Sequence, residues 1–236
     1  MSKQNIGILG GNGFLGSIIT SSLGGISITR ENYEKYRGSK FDTIINCVGN
    51  KYAYIAESNP LLDLESSLIF TYKTFSDFKF DKYIYLSSVA AYDNSIYGLH
   101  KRFCEDTIKY NFPKKHLILR PCNIININSK NIISDIFNEK EIGVTKESFM
   151  HFLDAKEFSL IMKKINNLNI INETINIGSK KAISPEEIGL IFKKNIYYKN
   201  NLIYKNYNMN TEYLSNFFGI NNSEFYIRRE FLKKEV

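Results

Sequence analysis

Tyr97 and Lys101 stand four residues apart, a spacing that puts both side chains on one face of a helix, one turn from each other. A phenol in that position can pass a proton to or from a carbonyl or alcohol oxygen. An ammonium beside it favours the phenolate and can also hold a ribose hydroxyl. Ser87 and Ser88 close the run Tyr83-Ile84-Tyr85-Leu86 shortly before. A hydroxyl at Ser88 can hydrogen-bond the reacting oxygen and orient it towards Tyr97. Each feature also has a plain structural reading. A Tyr-x-x-x-Lys spacing arises by chance in a chain with 16 tyrosines, as a solvated pair on a helix. A serine in the position of Ser88 can simply cap a helix or turn. A separate signal lies near the start of the chain. Leu9-Gly10-Gly11-Asn12-Gly13-Phe14-Leu15-Gly16 sits between the apolar segments Ile6 to Leu9 and Phe14 to Leu23. Strand, glycine turn and helix in that order are the context a dinucleotide-binding turn requires, and favour nucleotide binding over a merely structural turn. Gly10 suits the tight turn, Gly13 leaves the backbone open to a pyrophosphate, and Gly16 lets the helix pack close to the strand. The helix N-terminus then offers free N–H groups to phosphate.

These residues need a scaffold, and the chain supplies a regular one. Strands are expected at Ile6 to Gly10, Ile26 to Thr29, Thr43 to Val48, Tyr83 to Ser87, Leu117 to Arg120 and Thr174 to Ile177. Helices are expected at Phe14 to Leu23, Leu61 to Phe75, Tyr97 to Tyr110, Ala155 to Asn166, Pro185 to Lys194 and Thr211 to Phe217. The β-α-β alternation implies an α/β fold, a Rossmann-type doubly wound parallel sheet with helices on both faces. Right-handed crossovers put the strand C-termini on one edge, where ligands bind. The stretch Asn123 to Ser148 breaks the alternation and is the expected source of a second lobe. Asn195 to Asn210, polar and rich in tyrosine, is expected to be irregular. The predicted division is a dinucleotide-binding core over residues 1–122, completed by about 149–178. A small substrate lobe is expected from 123–148 and 179–236.

Composition narrows the class. A chain of 236 residues with 43% apolar side chains can bury one sizeable core and a small appended lobe. No apolar run approaches the ~18 residues of a membrane span. Met1-Ser2-Lys3-Gln4-Asn5 leads straight into the first strand, which leaves no room for a signal peptide. Cys47, Cys104 and Cys122 lack metal-ligand spacing and cannot all pair, so they read as reduced thiols of a cytoplasmic protein, with no metal site expected. The formal charge of +7 is spread along the chain, with only short clusters such as Lys233-Lys234. It suits a small polyanion as well as a nucleic acid, and no nucleic-acid or membrane partner is expected. His100 is read as pointing away from the site, His116 as surface-exposed and His151 as lying at the lobe boundary.

Taken in order, these segments are similar to the extended short-chain dehydrogenase/reductase family of NAD-dependent epimerase/dehydratase type. Gly10-x-x-Gly13-x-x-Gly16 has that family's spacing. Asp42 to Gly49 resembles the strand that ends beside the cofactor. Leu86-Ser87-Ser88-Val89-Ala90-Ala91-Tyr92 resembles the strand end carrying the catalytic serine, matched here by Ser88. Tyr97 and Lys101 match the catalytic pair, with Glu105 after them. Leu119-Arg120-Pro121-Cys122-Asn123 resembles the Arg-Pro-x-Asn element, Phe149 to Asp154 the segment returning to the core, and Asn176 to Glu187 the late strand-turn-helix. The resemblance implies catalysis by Ser88, Tyr97 and Lys101. It implies cofactor contacts from Gly10, Asn12, Gly13, Phe14, Leu15, Gly16, Arg30, Cys47, Val48, Gly49, Tyr97, Lys101 and Pro121, and substrate contacts from Ser88 and Asn123. The chain departs from the family in several places. It is shorter, with losses between Arg120 and Phe149, so the substrate lobe should be reduced. Glu147-Ser148 replaces a usual Arg-Asp pair. An asparagine usual in the helix before the serine strand is absent, and Leu64-Glu65-Ser66-Ser67 stands near its place.

Cofactor choice turns on Arg30, about 20 residues after Gly10 at the end of the second strand, where an acid would suit the NAD ribose and an arginine suits the 2′-phosphate of NADP. NADP is the expectation. NAD remains open, as does a surface arginine paired with Glu31 or Glu34. Ser88-Val89-Ala90 lacks the acid that dehydration needs. The implied function is NADP(H)-dependent reduction of a keto group on a nucleotide-linked sugar, in the supply of surface-polysaccharide precursors. One alternative is a nucleotide-sugar 4-epimerase with tightly bound NAD, and another is a non-catalytic NAD(P)-sensing protein. The resemblance further implies a homodimer formed through the helix of Tyr97 and its neighbour.

Overall fold

A computed structural model describes residues 4–50, 53–128, 130–168, 170–207 and 209–233. Met1 to Lys3 and Lys234 to Val236 lie outside the described residues. The strands are β1 (Ile6–Leu9), β2 (Ile26–Ile28), β3 (Lys40–Asn46), β4 (Lys79–Leu86), β5 (His116–Pro121), β6 (Asn123–Ile125), β7 (Glu141–Val144), β8 (Phe152–Asp154), β9 (Glu173–Ile177) and β10 (Tyr197–Ile203). The α-helices are α1 (Phe14–Leu23), α2 (Tyr33–Tyr36), α3 (Tyr54–Ser58), α4 (Pro60–Leu64), α5 (Phe70–Asp77), α6 (Ile96–Asn111), α7 (Ile132–Phe137), α8 (Ala155–Asn167), α9 (Pro185–Phe192), α10 (Glu212–Phe218) and α11 (Ser223–Ile227). The chain divides into two compact units, residues 1–120 with 159–175, and residues 121–158 with 176–236.

The first unit is built on a six-stranded sheet ordered β2-β1-β3-β4-β5-β9. Pairings from β2 through β5 are parallel, with Gly7 opposite Ile44, Ile44 opposite Tyr83 and Ile84 opposite Leu117. All four residues of β1 are buried, as expected of a parallel strand covered on both faces. On one face Phe41, Tyr83, Tyr85 and Ile118 pack with Cys104 and Ile108 of α6. Phe112 anchors the base of that layer, edge-on to Phe75 at 4.7 Å and Phe80 at 4.9 Å. Such pairs contribute ~0.5–1.5 kcal/mol each beyond simple burial.

The helix expected over Leu61 to Phe75 forms with a break. Between α4 and α5, Glu65–Ile69 winds as a π-helix, so the run carries a bulge of the kind that concentrates at functional sites. His116 is buried, not exposed. Its Nδ1 lies 2.6 Å from the Phe112 carbonyl, a local contact that satisfies an imidazole carried inwards at the start of β5.

In the second unit Ile125, Ile133, Ile136, Met150, Phe152, Ile188 and Phe231 form a separate apolar core. Capping boxes start two of its helices, Asn131 with Ser134 on α7 and Ser184 with Glu187 on α9. Arg229 grips Asp154 through two bonds of 2.5 and 2.6 Å and holds the C-terminal turn in place. The stretch expected to be irregular contains β10, which pairs in parallel with β7. Nearly all of β10 is exposed, so backbone pairing rather than burial makes the strand, and no apolar alternation announces it. Among the described residues no helix is long and apolar enough to cross a membrane.

Candidate active site

The glycine turn closes as its residue types require. Gly10 sits at φ +72°, and a Cβ on Gly16 would run into the Gly10 carbonyl oxygen. Helix α1 therefore starts hard against the end of β1. Gly13 is its N-cap and supplies no side-chain bond, so the first N–H groups are left to an incoming acceptor. Asn12 accepts a 3.2 Å bond from Ser27 Oγ on β2. Phe14 is exposed and Leu15 half-buried.

The turn after β3 lies beside Gly10, where an added Cβ would come within 3.1 Å of Val48 and 3.4 Å of the Cys47 backbone. Asn46 holds that turn from below. Its Oδ1 accepts from Val48 N at 3.0 Å, while its Nδ2 donates to Thr71 and Tyr83 at 3.1 and 3.0 Å. Burial raises the Cys47 thiol to about 12, only partly offset by the Lys101 ammonium, so it stays protonated near neutrality and is no nucleophile.

Helix α6 carries the catalytic candidates. Ser95 caps it by accepting from Gly98 N at 3.0 Å, and Asp93 holds the Ser95 hydroxyl in turn. Gly98 lets the helix approach closely, because a Cβ there would meet the Ala90 carbonyl oxygen. Lys101 is buried, and its Nζ donates to Tyr85 Oη and to the Leu86 carbonyl, each at 3.2 Å. The ammonium lies 5.6 Å from the centre of the Tyr97 ring, and a Cβ on Gly49 would stand 3.2 Å from it. Tyr97, Lys101 and the β3 turn thus share one neighbourhood.

Ser88 follows Leu86 by two residues. Its Oγ accepts from Ala90 N at 3.1 Å, so it caps the 3-10 turn Val89–Tyr92, and its half-buried hydroxyl keeps a hydrogen to donate. Glu105, fully buried, ties this region together. It accepts from Ser87 Oγ at 2.5 Å and from Arg120 Nε and Nη2 at 2.8 and 2.5 Å.

Arg30 is exposed just beyond β2. A side-chain bond with Thr29, and least of all the Arg30 charge, holds the Glu31 carboxyl below its usual range, whereas Glu34 pairs with Arg37 at 3.4 Å. Pro121 and Asn123 belong to the second unit. Pro121 is buried at the end of β5, and Asn123 is exposed, with its Nδ2 bound to the His151 carbonyl at 3.2 Å.

The roles of Asn46, Asn50 and Asp63 carry no signal in the sequence. Asn46 anchors the β3 turn, and Asp63 binds Asn50 at 2.5 Å and His100 at 2.6 Å in a buried cluster. The pairing of Asp63 with His100 spans 37 positions, and nothing in the local pattern of either marks it.

The fold class this defines is the Rossmann-type dinucleotide fold. No family model and no curated protein matches the chain by sequence. Solved structures do match by fold. A dTDP-4-dehydrorhamnose reductase from Bacillus anthracis in complex with NADP is 15% identical, with a TM-score of 0.76 over 99% of each chain. A UDP-N-acetylglucosamine 4-epimerase from Methanobrevibacter ruminantium in complex with UDP-N-acetylmuramic acid is 18% identical, with a TM-score of 0.76 over 98% of this chain and 97% of its own. A UDP-glucuronic acid 4-epimerase from Bacillus cereus, bound to a fluorinated UDP-sugar and NAD, is 14% identical, with a TM-score of 0.71 over 96% and 97%.

Proposed function

We propose that the protein is an NADP(H)-dependent reductase of a keto group on a nucleotide-linked sugar. The observation that carries this reading is the placement of Lys101 Nζ, held by Tyr85 Oη and the Leu86 carbonyl, against the Tyr97 ring and the bare face of Gly49. The residues fit a dinucleotide. The uncapped N-terminus of α1 suits the pyrophosphate, and the Lys101 ammonium packed against Gly49 is a donor for a ribose hydroxyl lying beside that turn. When bound, the nicotinamide supplies the hydride. Tyr97 holds a proton at Oη for the oxygen of the reduced carbonyl. Ser88 donates its remaining hydrogen to that oxygen and orients it. Lys101 binds the ribose, its ammonium standing 5.6 Å from the centre of the Tyr97 ring. Arg30, exposed at the end of β2, serves the 2′-phosphate of NADP, and Cys47, Val48 and Pro121 line the cofactor.

Ser88 is assigned a substrate contact, and Asn123 and the stretch 123–148 are assigned substrate contacts of their own. The likeness in fold to a dTDP-4-dehydrorhamnose reductase and to a UDP-N-acetylglucosamine 4-epimerase supports that substrate class. The protein is further proposed to form a homodimer. Leu62, Ile69 and Tyr72 on the α4–α5 run, and Leu99, Phe103 and Tyr110 on α6, expose large apolar side chains of the kind that mark an interface.

The test is a spectrophotometric assay of NADPH loss with dTDP- and UDP-linked 4-keto sugars, alongside analysis of cofactor released on denaturation. Turnover with exchangeable NADPH supports the reductase. Copurified NAD with interconversion of UDP-sugars would establish the 4-epimerase instead. Binding of NADPH without turnover of any keto sugar would establish the sensor.

A further inference from the structure

The cluster of Asn50, Asp63 and His100 takes no part in the chemistry above, yet both oxygens of its buried carboxylate are bonded. The Asp63 side chain is 1% exposed and that of His100 is 9% exposed. A buried carboxylate must have its oxygens satisfied. Asp63 Oδ1 receives Asn50 Nδ2 at 2.5 Å, and Oδ2 lies 2.6 Å from His100 Nδ1. An ionised carboxylate only accepts, so His100 Nδ1 carries the hydrogen. Asp63 also anchors the π-helical turn, since Ser67 Oγ donates to its backbone carbonyl at 2.5 Å.

The position of each partner gives the cluster its meaning. His100 stands three residues after Tyr97 and one before Lys101, so its bond to Asp63 fixes the rotation of the helical turn carrying both. Asn50 directly follows Gly49, whose bare face looks onto Lys101 Nζ. The turn after β3 is therefore pinned at both ends, by Asn46 to the sheet and α5, and by Asn50 to Asp63 of α4, which in turn binds His100 of α6. The same region reaches α6 once more, where Glu57 Oε1 accepts from Ile96 N at 2.8 Å. An apolar pair could hold α4 on α6 without the cost of desolvating a carboxylate. The charged bonds add direction, being short and angle-dependent.

We propose that Asn50, Asp63 and His100 are positioning residues that hold the turn at Gly49 in register with Lys101, beside which the cofactor ribose would lie. The proposal rests on the cofactor reading above for that ribose, but the clamp itself is measurable without any cofactor. Two readouts are taken on Asn50→Ala, His100→Leu, their double variant and His100→Asn, whose amide can donate from the place of Nδ1. The first is amide hydrogen exchange of residues 47–50 against the strand 79–86. The second is NADPH affinity by fluorescence.

Asn50→Ala and His100→Leu should each speed exchange in 47–50 while leaving 79–86 protected. Each should weaken NADPH about tenfold, within the range of coupling inside one bonded network, and the double variant should be no worse than the weaker single. His100→Asn should restore both readouts towards wild type. Unchanged exchange in 47–50, or normal NADPH affinity in both single variants, overturns the proposal. So does a His100→Asn protein as impaired as His100→Leu. If His100→Leu fails to fold, Asn50→Ala and His100→Asn still decide it. A wild-type protein that binds neither NADPH nor NADH sinks the cofactor reading. In that event selective loosening of 47–50 upholds the clamp, and its absence overturns the clamp as well.

Discussion

Replacing Glu105 by glutamine tests how α6 is held to the sheet. The carboxylate is 1% exposed and takes three short bonds, one from Ser87 and two from Arg120, while Arg120 itself is 15% exposed. Glutamine keeps the shape but puts an N–H₂ where one oxygen stood. At least one donor, from Arg120 or Ser87, then faces another donor. Removing one partner of a buried pair costs ~3–5 kcal/mol. The lower figure applies here, because the Arg120 guanidinium retains some solvent and stays stacked on Tyr92 at 4.7 Å. In a chain of this size each kcal/mol moves the melting temperature by ~2–4 °C, so Glu105→Gln should melt roughly 6–12 °C lower. Circular dichroism at matched scan rates measures this, with Lys109→Ala as control. Lys109 is 40% exposed and 3.9 Å from Glu105, a contact worth less than ~1 kcal/mol. A Glu105→Gln protein that melts within the control's range would refute the idea that this buried network holds the helix down.

Tyr97→Phe keeps the ring against Lys101 and should bind NADPH normally while turnover falls by ~10²–10⁴, the usual loss on removing a general acid. Lys101→Ala should reduce both affinity and turnover; unchanged turnover in either variant excludes that residue from catalysis. Arg30→Ala should weaken NADPH by about 10- to 100-fold, the worth of one charge-assisted bond, with little effect on NADH. Equal losses for both cofactors would remove Arg30 from the 2′-phosphate. His151 is buried with Nδ1 bound to the Ser179 carbonyl at 2.9 Å, and burial lowers its pKa below 6.5. The unfolded chain then binds the proton more readily, so His151 should cost stability as pH falls through 6.5 towards its folded value. His151→Asn should flatten that part of the denaturation profile, and an unaltered profile would show that another group controls it.

The sheet was legible because β1, β3, β4 and β5 are buried along most of their length, and such strands write themselves as continuous apolar runs. The glycine turn was legible for a different reason, since positive φ at Gly10 and the close approach at Gly16 leave few other residue types. Tyr97 and Lys101 could be paired because helical spacing is short-range. What stayed hidden depends on partners far along the chain or on backbone pairing alone. Asp63 and His100 each look like a solvated polar residue until the fold brings them together. Tyr197–Ile203 exposes its side chains and so lacks the alternation that marks a half-buried strand. His116 reads as a surface residue because its acceptor is a backbone carbonyl, which no residue type signals.

The π-helical turn at Glu65–Ile69 splits one apparent helix into two stretches of independent phase. Upstream, Asp63 is aimed at His100. Downstream, Thr71 meets Asn46 at 3.1 Å and Thr74 meets the Tyr83 hydroxyl at 2.8 Å. Each residue in a regular α-helix advances the direction by about 100°. Deleting one residue between 65 and 69 would therefore swing one set of contacts away from its target while the other stayed in place. The length of this short stretch is thereby constrained more tightly than its composition: its side chains can vary, but a gain or loss of one position should detach either the helix of Tyr97 or the turn after β3.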